Sequence, residues 1–194
     1  QAETLAGENQ KAITHSVFFT RLGQKIIHIL TAQTISGALY EVDMRLRPSG
    51  ASGLLVSGFD AFKRYQEESA WTWEHQALVR ARAVAGDPAL IKRFSELRKA
   101  LICQPRDENR LLTDIVDMRE KMREHLDKPK RSVRLDDDVV DQTFNVKQSR
   151  GGIVDIEFIV QFIVLAKASS YSCLADWTDN IRLLETFPVT HMIT

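Results

Sequence analysis

The sequence predicts an α+β protein that is predominantly helical. Three observations support this fold class. Apolar residues recur at helical spacing from Ile13, residues 38–47 alternate in polarity at every second position, and after Gly58 helical patterns replace the strand signal. With 194 residues, 44% of them hydrophobic, the chain is long enough for one substantial core or two small ones.

Two elements are predicted before Gly58. An amphipathic helix of about six turns starts at Ile13, and Ser36 and Gly37 end it. The strand over residues 38–47 has an apolar face and a largely charged one, whose members are Leu39, Glu41, Asp43, Arg45 and Arg47. A flexible Pro-Ser-Gly-Ala-Ser-Gly turn follows, and the short apolar run after it could pair back as a hairpin.

The remainder of the chain is predicted to be a helical bundle. Helices are expected over residues 59–69, 71–85, 88–103, 111–126, 152–168 and from 179 to 186, with a loop at 127–142 and a short extended piece at 144–147. Asp87 and Asp107 are expected to cap helix starts, and Pro88 fits the first helical position. The predicted domains are therefore residues 1–58 and residues 59–194.

Composition restricts the compartment and the class of partner. Lys plus Arg and Asp plus Glu each number 26, so net charge gives no general attraction to nucleic acid or to an anionic membrane. The longest apolar run falls short of the roughly 20 residues that cross a bilayer. Two cysteines, Cys103 and Cys173, suit a reducing cytosol better than a disulfide framework. We expect a soluble, cytoplasmic protein.

The charged face of the predicted strand is the first candidate site. Asp43, Arg45 and Arg47 would share this face, and charge is rarely buried unpaired. A solvated strand face is the simpler interpretation from the residues alone. The alternative is a site in which a carboxylate holds Mg²⁺ and arginines hold phosphate oxygens.

The start of the predicted helix at 152 is the second candidate site. Gly151 and Gly152 would let the backbone approach an anion, with Lys147 and Arg150 adding charge. From the sequence alone, two adjacent glycines before a helix are more often a plain turn. Within the apolar helix, Asp155 and Glu157 require either arginine partners from the bundle or a polar cleft.

Three sequence blocks together resemble one family. Residues 40–56, 70–82 and 151–159, in this order, look like the glutamine synthetase adenylyltransferase family. The Trp-Thr-Trp-Glu-His-Gln wording at 71–76 and the turn at 48–53 are similar to its carboxyl-terminal, adenylylating unit. We therefore expect a fragment of that unit: part of a DNA polymerase beta-like nucleotidyltransferase fold followed by a helical bundle.

The resemblance implies a reaction and a metal ligand. Such an enzyme transfers AMP from ATP to a tyrosine of glutamine synthetase, with Mg²⁺ as cofactor and a nitrogen regulatory signalling protein as a further partner. Asp43 matches the third metal-binding carboxylate of the fold and is the predicted catalytic residue. The other two come from a Gly-Ser-Asp-x-Asp turn that does not occur in these 194 residues, so the chain alone is expected to be inactive. The predicted substrate-binding residues are Arg45, Arg47, Lys147, Arg150, Gly151, Gly152 and Glu157.

Two other functions stay open at this point. The chain could belong to the unit of the same family that removes AMP. It could also be a helical docking module that binds glutamine synthetase or a regulator without contacting nucleotide.

Overall fold

The computed structural model describes residues 3–4, 12–126 and 145–189. The chain divides into two compact units, Gln1–Ala70 and Trp71–Thr194. Within the described residues, seven α-helices and two short two-stranded antiparallel sheets confirm the predominantly helical α+β class. The loop predicted at 127–142 lies outside the described residues. The domain boundary predicted between residues 58 and 59 stays a prediction.

The first unit consists of two helices and two small sheets. β1 (Glu3–Thr4) pairs with β2 (Ile13–Thr14), and α1 (His15–Thr31) follows directly. β3 (Gln33–Thr34) pairs with β4 (Gly37–Ala38), and α2 (Phe59–Glu68) ends the unit.

α1 is shorter than its apolar pattern predicts. The residues after Thr31 form the tight β3–β4 hairpin instead of a further helical turn. The Thr34 hydroxyl donates to the Gly37 carbonyl at 2.6 Å and closes this hairpin. Gly37 has a φ of 99°, which only glycine adopts easily. No residue of α1 is buried, and six of its large apolar side chains are 40% to 58% exposed.

The strand predicted over residues 38–47 is wrong beyond Ala38. Residues 39–49 are irregular, and no strand lies alongside them in the described part of the chain. The hairpin predicted for residues 54–56 is also absent there. Alternating polarity fixes which face of a strand would be buried, but a strand forms only when neighbours satisfy its backbone groups.

The second unit is a helical bundle with its own core. Its helices are α3 (Thr72–Arg80), α4 (Pro88–Ile102), α5 (Glu108–Leu126), α6 (Ile153–Lys167) and α7 (Asn180–Val189). α6 is central, and its buried face packs against residues from α3, α4, α5 and α7. The largest fully buried side chains are Leu101, Ile102, Leu165, Leu174, Leu183 and Phe187.

Both predicted helix caps of this unit are confirmed. The Asp87 carboxylate accepts hydrogen bonds from the amides of Ala89 and Leu90 at 2.9 and 3.1 Å, with Pro88 in the first turn. Asp107 accepts from the Arg110 amide at 2.8 Å. These carboxylates satisfy amides that the helix itself leaves without acceptors.

Two predicted elements of this unit are corrected. α3 ends at Arg80 and not at residue 85, because the Arg98 side chain, which lies outside α3, donates hydrogen bonds to the carbonyls of Leu78 and Val79 near the end of the helix. The extended piece predicted at 144–147 is a turn over its described residues. Asn145 Oδ1 accepts from the amides of Lys147 and Gln148 at 3.1 and 3.0 Å, which is a local arrangement that competes with a strand. Every helix in the described ranges is too short or too polar to cross a membrane.

Candidate functional site

Asp43 forms a compact ion pair with Arg45 on the surface of the first unit. Asp43 Oδ1 accepts from the Arg45 amide at 2.8 Å, and the guanidinium donates to Oδ2 through Nε and Nη2 at 2.9 and 2.6 Å. The side chains are 51% and 84% exposed. The side-chain hydrogen bond from Arg45, followed by the backbone one, lowers the pKa of Asp43 to about 2. The carboxylate is therefore ionised and accessible at neutral pH.

Arg47 organises the loop that follows this pair. Its Nη1 donates to the Met44 carbonyl at 2.7 Å and its Nε donates to the Gly53 carbonyl at 3.1 Å. The loop between these carbonyls is tight: a Cβ on Gly53 would lie 1.9 Å from the Pro48 carbonyl oxygen. Arg47, predicted to bind substrate, uses these donors to hold its own backbone.

The same loop contains a strained residue. Ser49 has a φ of 60°, the left-handed region that non-glycine residues rarely adopt, and its amide donates to the Tyr65 hydroxyl at 3.1 Å. The hydroxyl of α2 thus fixes the far side of the loop. Both ends of the segment that carries Asp43 are tied to neighbouring structure.

Asp43 is the residue of the first unit that is predicted to bind a metal. Across the described ranges, no group of three His, Cys, Asp or Glu residues is arranged to hold a metal ion. An ionised, exposed carboxylate fits the role of one oxygen ligand for a hard cation such as Mg²⁺. The described residues do not form a complete metal site.

Gly151 and Gly152 make a tight turn before α6. Gly151 has a φ of 79°. A Cβ on Gly152 would lie 2.6 Å from the Val146 carbonyl oxygen and 2.8 Å from that of Ser149, so only glycine fits there. The two glycines therefore form a plain turn, and glycine is needed at residue 152 because the chain packs closely against itself there.

The amides at the start of α6 already have acceptors. The amide of Ile153 donates to the Val146 carbonyl at 2.9 Å, and that of Val154 donates to the Lys147 carbonyl at 3.2 Å. The Asp155 amide donates to the Gly152 carbonyl at 3.0 Å. These amides therefore donate within the chain, and the anion site predicted at this helix start stays a prediction.

Asp155 and Arg119 form the most buried ion pair of the second unit. Arg119 Nε donates to Asp155 Oδ1 at 2.5 Å, and the two side chains are 7% and 21% exposed. Burial alone raises the pKa of Asp155, but the Gly151 amide, the Arg119 guanidinium and the charge of Arg123 outweigh it, so the pKa lies below its ordinary value. Of the two environments considered for Asp155, an arginine partner or a polar cleft, the structure shows an arginine partner.

The other predicted residues of this unit lie at the surface around α6. Glu157 accepts from Arg80 Nη1 at 2.5 Å, which is again a bundle salt bridge. Arg150 is 79% exposed and its Nη2 lies 3.7 Å from a Glu120 oxygen. Lys147 is exposed. Lys147 and Arg150 both lie in the turn, whereas Glu157 lies more than one helical turn further along the chain.

Sequence reasoning missed two buried arginines. Arg98 donates to the carbonyls of Leu78, Val79, Ala175 and Trp177, and Arg119 donates to Asp155 and Gln148. Both arginines occupy positions where the helical repeat places apolar side chains, since Arg119 continues the spacing of Leu111 and Ile115. A charge on the apolar face of a predicted helix is the signal that could have found them.

A cavity of about 270 Å³ lies between α5 and α6. Its walls are mainly apolar, and Arg119 and Asp155 lie at one end of it. Arg123, at the same end, has an Nε atom that is buried without a hydrogen-bond partner.

Two family models match the chain, and both describe enzymes of the nucleotidyltransferase class. Residues 1–97 match the family described as glutamate-ammonia ligase adenylyltransferase. Residues 116–187 match the family described as GlnD PII-uridylyltransferase. The first match places the candidate carboxylate Asp43 and the loop after it in an adenylyltransferase sequence.

The chain belongs to the glutamate-ammonia ligase adenylyltransferase family. It is 54% identical over 181 residues to the "bifunctional glutamine synthetase adenylyltransferase/adenylyl-removing enzyme" of Hahella chejuensis, a match that covers 93% of this chain and 18% of that protein. Enzymes of the same name from Pseudomonas aeruginosa and Vibrio parahaemolyticus are 54% and 51% identical, over 95% and 92% of this chain. The chain spans 18% to 19% of the length of these relatives. The predicted family is confirmed.

Proposed function

We propose that this chain belongs to the adenylylating unit of an enzyme that transfers AMP from ATP to a tyrosine of glutamine synthetase. In this reaction the tyrosine oxygen bonds to the α-phosphorus of ATP, and pyrophosphate leaves. The observation that carries the proposal is the exposed, ionised Asp43 carboxylate in the segment that matches the adenylyltransferase family. The sequence blocks that resemble the adenylylating unit support it further.

Asp43 is proposed as one carboxylate ligand of Mg²⁺. When bound, such an ion neutralises charge on the phosphate oxygens of ATP. Arg45 pairs with this carboxylate, and ion pairs between exposed side chains contribute little to stability. With Mg²⁺ on Asp43, the Arg45 guanidinium would be available to donate to a phosphate oxygen, which is the substrate-binding role proposed for Arg45.

Other residues are proposed to contact or support the substrates. Lys147 and Arg150 offer exposed cations to phosphate oxygens, and the turn of Gly151 and Gly152 supports them. Arg47 and Glu157, first predicted to bind substrate, make backbone and salt-bridge contacts that suit supporting roles. The proposed partners are glutamine synthetase, a nitrogen regulatory signalling protein and ATP, without nucleic acid or membrane, in the cytoplasm.

An exchange of segments tests the proposal. In a chimaera, these 194 residues replace the matching segment of the Hahella chejuensis relative, and transfer of labelled AMP to glutamine synthetase is measured. We expect the chimaera to transfer AMP and Asp43→Asn to abolish transfer, since the amide cannot carry the charge that Mg²⁺ needs. A chimaera without transfer, or an active Asp43→Asn variant, would contradict the proposal.

Asp176 provides a matched control for this substitution. Its side chain is 51% exposed, as that of Asp43 is, and it accepts a hydrogen bond from Lys99 at 2.7 Å. Asp176→Asn therefore removes an equivalent surface ion pair without affecting the proposed site, and we expect full AMP transfer. The 194-residue chain by itself is expected to transfer none, because one carboxylate holds Mg²⁺ and ATP poorly.

The same chimaera separates AMP addition from AMP removal. The relatives' printed names include both activities. Incubation with adenylylated glutamine synthetase and phosphate measures removal. If Asp43→Asn abolished removal and left addition intact, the chain would belong to the other unit.

A further inference from the structure

The turn over residues 145–152 is closed by its own backbone. The Ser149 amide donates to the Asn145 carbonyl at 2.9 Å, and the Gly152 amide donates to the Ser149 carbonyl at 2.8 Å. The Ser149 hydroxyl accepts from the Asn145 amide at 3.0 Å. Carbonyl oxygens of the turn fold back against Gly152, where a Cβ would lie 2.6 Å from that of Val146, so the turn is closely packed.

One buried side chain, Arg119, and one half-buried side chain, Asp155, hold this turn from outside. Arg119, on α5, donates from Nη2 to the Gln148 carbonyl at 2.7 Å while its Nε donates to Asp155. Asp155, on α6, accepts from the Gly151 amide at 2.7 Å through its second oxygen. The pair therefore links both helices to the two ends of the four-residue segment from Gln148 to Gly151.

The turn presents two cations to solvent. Lys147 and Arg150 are exposed, with a carboxylate of Glu120 3.7 Å from Arg150. Arg119 and Arg123 lie beside the Asp155 carboxylate, and Arg123 and Arg150 lie beside that of Glu120. Because the amides beside them already donate to carbonyls, the side chains are what the turn offers to an anion.

We propose that Arg119 and Asp155 are positioning residues, which fix the turn so that Lys147 and Arg150 bind the polyphosphate of a nucleotide. The inference rests on the proposed function, in which Lys147 and Arg150 contact the substrate. Binding two flexible cations to an anion costs the entropy of ordering them. A turn that is fixed in advance lowers this cost, because the backbone that carries both side chains is already in place.

Arg119→Lys separates this role from that of simple charge. The ammonium keeps the positive charge but cannot donate to Asp155 and to the Gln148 carbonyl at the same time with the fork geometry of a guanidinium. Asp155→Asn is the milder second variant, since its amide oxygen still accepts from the Gly151 amide. Both variants loosen the turn and leave Lys147 and Arg150 unchanged.

Arg106→Lys controls for a general loss of stability. Arg106 Nη1 donates to the Ile102 carbonyl at 2.8 Å and Nη2 to the Leu101 carbonyl at 2.7 Å, and it also contacts the Leu165 carbonyl. Leu165 lies near the other end of α6, about 15 Å along the helix from Asp155. This variant removes the hydrogen bonds of a half-buried arginine of the same bundle that does not contact the turn.

The experiment is a titration of the 194-residue chain with inorganic tripolyphosphate, followed by amide chemical shifts in ¹⁵N-labelled protein. We expect shifts at residues 147–152 and their loss in the Lys147→Ala, Arg150→Ala double variant. Arg119→Lys and Asp155→Asn are expected to raise the dissociation constant about threefold to tenfold, the cost of ordering one or two side chains. Hydrogen exchange at the Gly151 amide should accelerate in both variants, and Arg106→Lys should leave the dissociation constant unchanged.

The outcomes distinguish the inference from the function on which it rests. If the double variant bound tripolyphosphate as well as the unchanged chain, the proposed substrate contact of Lys147 and Arg150 would be wrong. If the double variant lost binding while Arg119→Lys and Asp155→Asn kept it, the contact would stand and the positioning role would fail. An equal loss of affinity in Arg106→Lys would also overturn it, because affinity would then follow stability alone.

Discussion

Replacement of Arg98 by Met removes a buried hydrogen-bond donor from the centre of the second unit. The Arg98 side chain is 7% exposed and donates to four carbonyls, those of Leu78, Val79, Ala175 and Trp177. Burial lowers its pKa, with Asp176 opposing this effect. Met keeps the apolar stem and removes the donors, so the packing volume changes little.

The magnitude follows from which carbonyls are left without a donor. Leu78 keeps a hydrogen bond from the Ala81 amide at 3.1 Å, and Trp177 is 38% exposed, so water can replace Arg98 there. Val79 and Ala175 are 0% and 2% exposed, and water cannot reach them without opening the bundle. Two unsatisfied buried carbonyls cost about 1–3 kcal/mol each, and removing the desolvated guanidinium offsets part of this. We expect a loss of about 3 kcal/mol in the free energy of unfolding.

Urea unfolding followed by far-ultraviolet circular dichroism measures this loss. The midpoint should fall while the slope of the transition stays the same, because the surface exposed on unfolding is unchanged. Lys92→Met on the same helix is the control, since its ion pair with Glu96 is exposed and 3.9 Å long, and it should change the free energy by less than about 0.5 kcal/mol. An Arg98→Met loss below about 1 kcal/mol would refute the reasoning that these carbonyls depend on the guanidinium.

Three further predictions concern the second unit. Gly152→Ala should destabilise the chain by about 1–3 kcal/mol in the same assay, since the new Cβ would lie 2.6 Å from one carbonyl oxygen and 2.8 Å from another. Gln76→Leu should cost about 1–3 kcal/mol because it leaves Gln161, its buried partner at 3.1 Å, unsatisfied, whereas Leu at both positions should cost less than the sum of the single changes. Because the pKa of Asp155 is lowered in the folded chain, its pairing with Arg119 stabilises the fold above the ordinary carboxyl pKa of about 4 and is lost as pH falls through the lower folded value. Asp155→Asn should therefore reduce the acid dependence of unfolding as pH falls below about 4, and an unchanged dependence would show that other carboxylates control it.

The sequence alone predicted the helical bundle closely. Each of its helices carries an apolar repeat, and Asp87 and Asp107 begin two of them because a carboxylate beside free amides is a local effect. The family and the candidate carboxylate Asp43 also followed from contiguous sequence. These features depend on residues that are neighbours along the chain.

The error over residues 38–47 has a different origin. Alternation was correctly recognised, but a strand requires partners whose position the alternation does not encode. The same limit applies to α1, whose apolar face remains exposed in the described unit. Periodicity identifies the face that is suited to burial and does not identify what covers it.

Only the tertiary structure decided how the charges of the second unit are used. From the sequence, Asp155 and Glu157 could lie in a polar cleft or form salt bridges. Their arginine partners, Arg119 and Arg80, lie 36 and 77 residues away in sequence. Gly152 is required because carbonyls of the preceding turn fold back against it. Signals between neighbouring residues thus determined the helices, their caps and the family. Ion pairs and close backbone contacts depend on packing between distant segments, because the energy of a charge is set by the group that folding brings beside it.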